Sequence, residues 1–184
     1  SVKEVLDEIR KINDDARRRL EEVLKDLKRI NDELKERVDR VHDRNRRLLE
    51  ELKKEIRTKL KDKRKADELE RRLKELLEES KKLADEMKKR SDDVLRETER
   101  TARELTERHR KLLEEVKRLV EAGVSDDILR EMLERNKELV KESKKVLEEL
   151  EREHRELVRE VKKRLDDSTE KIKTEVDKVK KELD

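Results

Sequence analysis

The chain has no cysteine, no proline, no tryptophan, tyrosine or phenylalanine, and one glycine, Gly123. Without cysteine it has no disulfide, thiolate ligand or thiol nucleophile, and nothing marks a redox compartment. Without aromatic rings it has nothing to stack on a nucleobase. No apolar run approaches the ~20 residues that span a bilayer. The first residues lack an apolar h-region, so no signal peptide is expected. Charge of one sign is also lacking: 56 basic residues face 53 acidic ones, a net of +3, and the signs interleave. That balance gives no lead toward nucleic acid or an anionic membrane.

What is present is charge and period. Of 184 residues, 59% are charged and 30% hydrophobic. Such a composition is compatible with disorder, but the apolar residues keep to one face. Glu, Lys, Arg and Leu at helical spacing read as long helices or a bundle. The organising unit is an 18-residue frame. Leu73, Ser91 and His109 share one phase; Leu76, Val94 and Leu112 the next, followed by Leu77, Leu95 and Leu113. Ser80, Thr98 and Val116 align, as do Leu83, Thr101 and Leu119. Eighteen residues make five turns, so the stripe returns to one face without drift, whereas a strict seven-residue repeat would impose a left-handed supercoil. The pattern predicts straight helices.

The same frame runs through the first third, where Val2, Leu20, Val38 and Ile56 align. Asn13, Asn31 and Leu49 form a flanking column, and Leu6, Leu24 and His42 another. Ser1 is an N-cap with Glu4 at the reciprocal capping-box position. The frame breaks after Leu60 and resumes out of phase at Leu69. Asp67 and Glu70 form a second capping box, which puts the first turn near residues 62–66. A helix continuous through that glycine-free stretch would instead imply a domain-swapped dimer. Gly123 ends the second helix and Ser125 caps the third, with Asp126 and Asp127 favouring its positive end. The expectation is one domain over 1–184: helix 1 at about 2–61, helix 2 at about 67–122 and helix 3 at about 126–183. The fold class is all-α, a straight antiparallel up-down-up three-helix bundle with helices of about 55–60 residues. The apolar residues, 30% of 184, come to about 55 against roughly 48 inward positions. Little is left for a second interface, so a monomer is expected.

Polar residues interrupt the stripe at Asn13, Asn31, His42, Asn45, Ser80, Ser91, Thr98, Thr101, His109, Asn136, Ser143, His154 and Ser168. Folding the chain at residues 64 and 124 groups them in layers. Asn13, His109 and Asn136 come together. Asn31, Thr98 and Thr101 share a level, with Ser143 nearby. His42, Ser91 and His154 form a third group, and Asn45, Ser80 and Ser168 a fourth. Any one of them alone reads as a boundary residue with a wet tip. Grouped across three helices they read as interhelical hydrogen-bond layers, since a buried amide without a partner costs about 1–3 kcal/mol. The histidines have no i, i+4 pair and do not converge as zinc ligands do. No nucleophile, phosphate loop or base accompanies them, so neither catalytic nor cofactor or metal sites are expected. Runs such as Arg17 to Arg19, or Arg44 with Arg46 and Arg47, read as solvated helix faces.

The repeated columns, capped ends, single-glycine loop from Glu121 to Ser125 and Glu/Lys/Arg-filled surface resemble computationally designed, parametric, untwisted three-helix bundles. The interior Asn, Ser, Thr and His resemble designed hydrogen-bond networks. The resemblance covers the whole chain and is one of style, so it transfers no site residue. It implies a de novo scaffold with no natural biochemical activity, no cofactor and no cellular address, whose polar networks set helix register. The alternative it leaves open is an interaction module, forming a homo-oligomer or pairing with a designed partner helix and pH-responsive through its histidines.

Overall fold

The computed structural model describes all 184 residues, and it is all-helical. Helix α1 runs Val2–Lys59, α2 Lys63–Glu121 and α3 Asp126–Leu183. Their order is up, down, up. Along α1, partners at Asn13, Lys35 and Arg57 lie at His109, Asp92 and Glu70 of α2, so partner numbers fall as α1 numbers rise. Between α1 and α3 they rise together, from Glu8 with Lys137 to Asn45 with Thr169.

Local chemistry fixes the ends. The Glu4 amide donates to Ser1 Oγ at 3.4 Å, and the Glu4 carboxylate lies 3.6 Å from the terminal amine. Gly123 takes φ of 72°. Its amide donates to Val120 O at 3.1 Å and the Val124 amide to Leu119 O at 3.3 Å, the paired bonds of a Schellman stop. Ser125 sits at the α3 cap position, its carbonyl accepting from the Leu129 amide.

The first turn differs from expectation. Only residues 60–62 leave the helix, so α2 starts four residues earlier than the capping box at Asp67 suggested. Asp62 is the cap: its Oδ1 accepts from the amides of Arg64 at 3.1 Å and Lys65 at 3.4 Å. Asp67 lies inside α2 and is exposed. No residue other than glycine has positive φ, so this turn needs no glycine. The break also separates α1 from α2, in place of one continuous helix.

The chain forms two compact units, and each helix contributes to both. In the unit of 1–30 and 94–155, Leu20, Leu27, Leu105 and Leu147 build one apolar cluster. Ile9, Val116, Met132 and Leu133 build another there. In the unit of 31–93 and 156–184, Leu52, Ile56, Leu69, Leu73, Ile172 and Val176 pack together. Burial keeps the 18-residue phase. Leu69, Met87 and Leu105 are all buried, as are Ser143, Val161 and Val179. The column of Asn13, Asn31 and Leu49 is central and not flanking, with each residue at most 8% exposed. His42 does flank, half-buried.

Candidate functional site

The buried polar side chains are the only feature of the interior that departs from apolar packing. In the first unit, His109 of α2 bridges both other helices. Its Nδ1 lies 3.2 Å from Asn13 Oδ1 on α1, and its Nε2 lies 2.9 Å from Ser143 Oγ on α3. Ser143 donates to the Leu139 carbonyl at 2.9 Å. A hydroxyl has one proton, so Nε2–H must donate to Ser143. With Oδ1 of Asn13 facing Nδ1, both ring nitrogens donate and the ring is an imidazolium. With the Asn13 amide turned over, Nδ2–H donates to Nδ1 of a neutral ring. In the same unit His154 Nε2 lies 2.9 Å from Thr98 Oγ1. Burial pushes the pKa of both rings down, and at His109 the Arg108 guanidinium adds to the effect.

In the second unit His42 Nδ1 lies 2.8 Å from Ser80 Oγ. Ser91 donates to Asn31 Oδ1. Asn45 Nδ2 donates to Thr169 Oγ1 at 3.3 Å.

These partners differ from the expected groups. Ser143, not Asn136, completes the layer of Asn13 and His109. Asn31 pairs with Ser91 instead of Thr98, and His154 with Thr98 instead of His42. Ser80 pairs with His42, while Asn45 bonds Thr169, the neighbour of Ser168. Thr101 and Ser168 are half-buried and take part in none of these bonds. The reason is the fold point. The pairs Asn13 with His109, Asn31 with Ser91 and His42 with Ser80 all centre on residue 61, where the turn lies, rather than 64. Moving a fold point by three residues moves every partner by about six, or ~9 Å along the helix. The pairs between α2 and α3 centre on residue 126, two beyond the assumed 124.

Some polar atoms are left over. Asn136 is 0% exposed, and neither its Oδ1 nor its Nδ2 has a partner. Asn13 Nδ2, Asn31 Nδ2 and Glu151 Oε1 are also buried without one. Sequence reasoning missed Thr169 and Glu151. Glu151 and Thr169 occupy the phase of Leu133, one and two frames on, a flanking column with a single apolar member and so with no apolar run to mark it as inward.

No group of three or more His, Cys, Asp or Glu is placed to hold a metal ion, and no helix is long and apolar enough to cross a membrane. The chain matches no protein-family model, no curated protein and no solved structure.

Proposed function

We propose that the chain is a monomeric structural scaffold of de novo design with no biochemical activity of its own, whose core polar layers specify how its helices register. One observation carries the reading: a single imidazole, His109, is hydrogen-bonded to Asn13 of α1 and Ser143 of α3 at once. Such a bridge is satisfied in one arrangement of three helices and broken in its competitors. The surrounding core supports it, since the layer lies between apolar clusters that supply cohesion without discriminating among partners. The designed origin rests on the resemblance of columns, caps and surface.

The test replaces the layer by Asn13→Leu, His109→Leu and Ser143→Ala together. The apolar variant should stay helical and unfold no earlier, because the layer contributes specificity more than stability. It should lose uniqueness, eluting as several masses by light scattering or giving broadened amide NMR signals where the parent is one sharp monomer. A variant that remains a single monomer with parent-like NMR dispersion would leave the layer without the proposed role.

A further inference from the structure

Between α1 and α3, in the unit of 31–93 and 156–184, lies an open groove of about 710 Å³. Its α1 wall carries Arg37, Arg40, Arg44 and Arg47, at spacings of three and four that keep them on one helix face. Lys173 joins them from α3, against the carboxylates of Glu51 and Asp166. The whole chain nets +3, and the five cations and two carboxylates of this groove equal that excess. The rest of the surface is balanced. A neighbouring groove between α1 and α2 is lined by three cations, Lys53, Arg71 and Lys74, and three carboxylates, Glu50, Asp67 and Glu70.

Ion pairing divides the same way. Lys35 reaches Asp92 at 2.7 Å, Lys88 reaches Asp39 at 2.9 Å and Arg57 reaches Glu70 at 2.8 Å across α1 and α2. Arg90 reaches Glu160 at 2.8 Å, Lys171 reaches Glu79 at 3.0 Å and Arg72 reaches Glu175 at 2.9 Å across α2 and α3. In the groove, Arg40 reaches only Glu36 of its own helix, at 3.9 Å, and Arg37, Arg44, Arg47 and Lys173 have no ion-pair partner. Half-buried Val41 and Leu48, seven residues apart, also line the groove. On the α3 side the groove is lined by Thr169, at the phase Leu133 holds two frames earlier.

We propose that this groove docks an acidic amphipathic helix from another protein, its glutamates on the arginine row and its apolar stripe on Val41 and Leu48. The row from Arg37 to Arg47 spans ~15 Å, about three helical turns. A seven-residue step between apolar groups is the spacing a docked helix repeats. A nucleic-acid strand fits less well, since no aromatic ring is available to stack on its bases. A second copy of this chain fits less well, since its acidic rows, such as Glu149, Glu153, Glu156 and Glu160, have no exposed apolar stripe beside them: Ile128 is the one exposed large hydrophobic.

The probe is a fluorescein-labelled synthetic peptide of about 21 residues, with leucine at heptad a and d and glutamate at e and g. Fluorescence anisotropy should show saturable one-to-one binding. Affinity should fall at least about tenfold in the triple variant R37Q/R44Q/R47Q and about as far for a scrambled peptide of equal composition, whose leucines share no face. Of the three side chains changed, Arg44 and Arg47 are exposed and Arg37 is half-buried, and circular dichroism with light scattering verifies the fold of the variant. The variant R17Q/R18Q/R19Q should bind as the parent does. Absence of binding overturns the proposal. So does equal binding of the scrambled peptide, equal binding by R37Q/R44Q/R47Q, or tighter capture of a labelled single-stranded oligonucleotide of the same charge.

Discussion

Acid should weaken this bundle in the window where imidazole titrates and carboxylates do not. His154 is 1% exposed and His109 half-buried, and burial holds both rings below the ordinary 6.5. In the unfolded chain the same rings protonate near the ordinary value. Below about pH 6.5 the unfolded state therefore binds more protons, and stability falls as pH drops toward the folded pKa values. Above that window the contribution is constant. The limiting slope is ~1.36 kcal/mol per pH unit for each ring, so between pH 7.5 and 5.5 each costs at most about 1.4 kcal/mol and the pair about 2.7. The two should not contribute equally. Protonated His109 finds an acceptor in Asn13 Oδ1 once that amide turns, and Ser143 already accepts from its other nitrogen. His154 has Thr98 at Nε2 and no second bonded partner, so it should carry most of the loss. Guanidinium midpoints followed by circular dichroism at half-unit steps, at constant m, give the profile. His154→Asn should flatten it more than His109→Asn, and the double variant should be flatter than either. A flat parent profile, or a double variant that keeps the parent's slope, would refute the reasoning.

Other perturbations test single residues. Asn136 is fully buried with both polar atoms unpartnered, beside Met132 and Leu133 of its own helix. Asn136→Leu should therefore stabilise by about 1–3 kcal/mol, read as a higher guanidinium midpoint; a fall of similar size would mean the amide is satisfied. Asp62→Ala removes the bonds to the Arg64 and Lys65 amides and should cost about 1 kcal/mol. Asp67→Ala, inside the helix and exposed, should stay within about 0.5 kcal/mol, and a reversed order in thermal melts would restore the cap to Asp67.

The parts of the fold that repeat were the legible ones. An inward column such as Leu129, Leu147 and Leu165 is written in the residues themselves, and all three are buried. Gly123 was legible because only one residue type takes its φ of 72° without strain. The turn at 60–62 was not, because it uses ordinary backbone angles and so leaves no mark in composition. The familiar spacing from Asp67 to Glu70 pointed to Asp67 as its cap, where Asp62 serves. That error then multiplied, since reflection doubles it in every cross-helix pair. Thr169 and Glu151 were missed among the interior polar residues, and of the expected meetings only Asn13 with His109 is among the hydrogen-bonded pairs. Asn136 shows a second limit: its phase said buried, and phase does not say whether a partner is within reach.

The turns themselves sharpen what the polar layers can do. Sliding a helix by one 18-residue frame means ~27 Å, which the three residues 60–62 cannot span at ~3.5 Å each. Axial slip by a whole frame within one chain is thus already excluded by the loop, and shorter slips are left to the polar layers. What a short loop leaves open is the side on which α3 folds back against the first two helices. The apolar flanks of α2 scarcely distinguish the sides: Leu77, Leu95 and Leu113 line one, Leu83, Thr101 and Leu119 the other. His109 does distinguish them, because Nδ1 is committed to Asn13 of α1 and Nε2 to Ser143 of α3. Folding α3 to the other side would present Ser143 to the wrong edge and leave at least two groups desolvated, at about 1–3 kcal/mol each. The ion pairs divide likewise, Lys88 of α2 toward Asp39 of α1 and Arg90 toward Glu160 of α3, but these are exposed and contribute at most about 1 kcal/mol apiece. On the proposed reading the choice of side rests chiefly on His109 and its two partners, and removing that layer should release the mirror arrangement before it releases the helices.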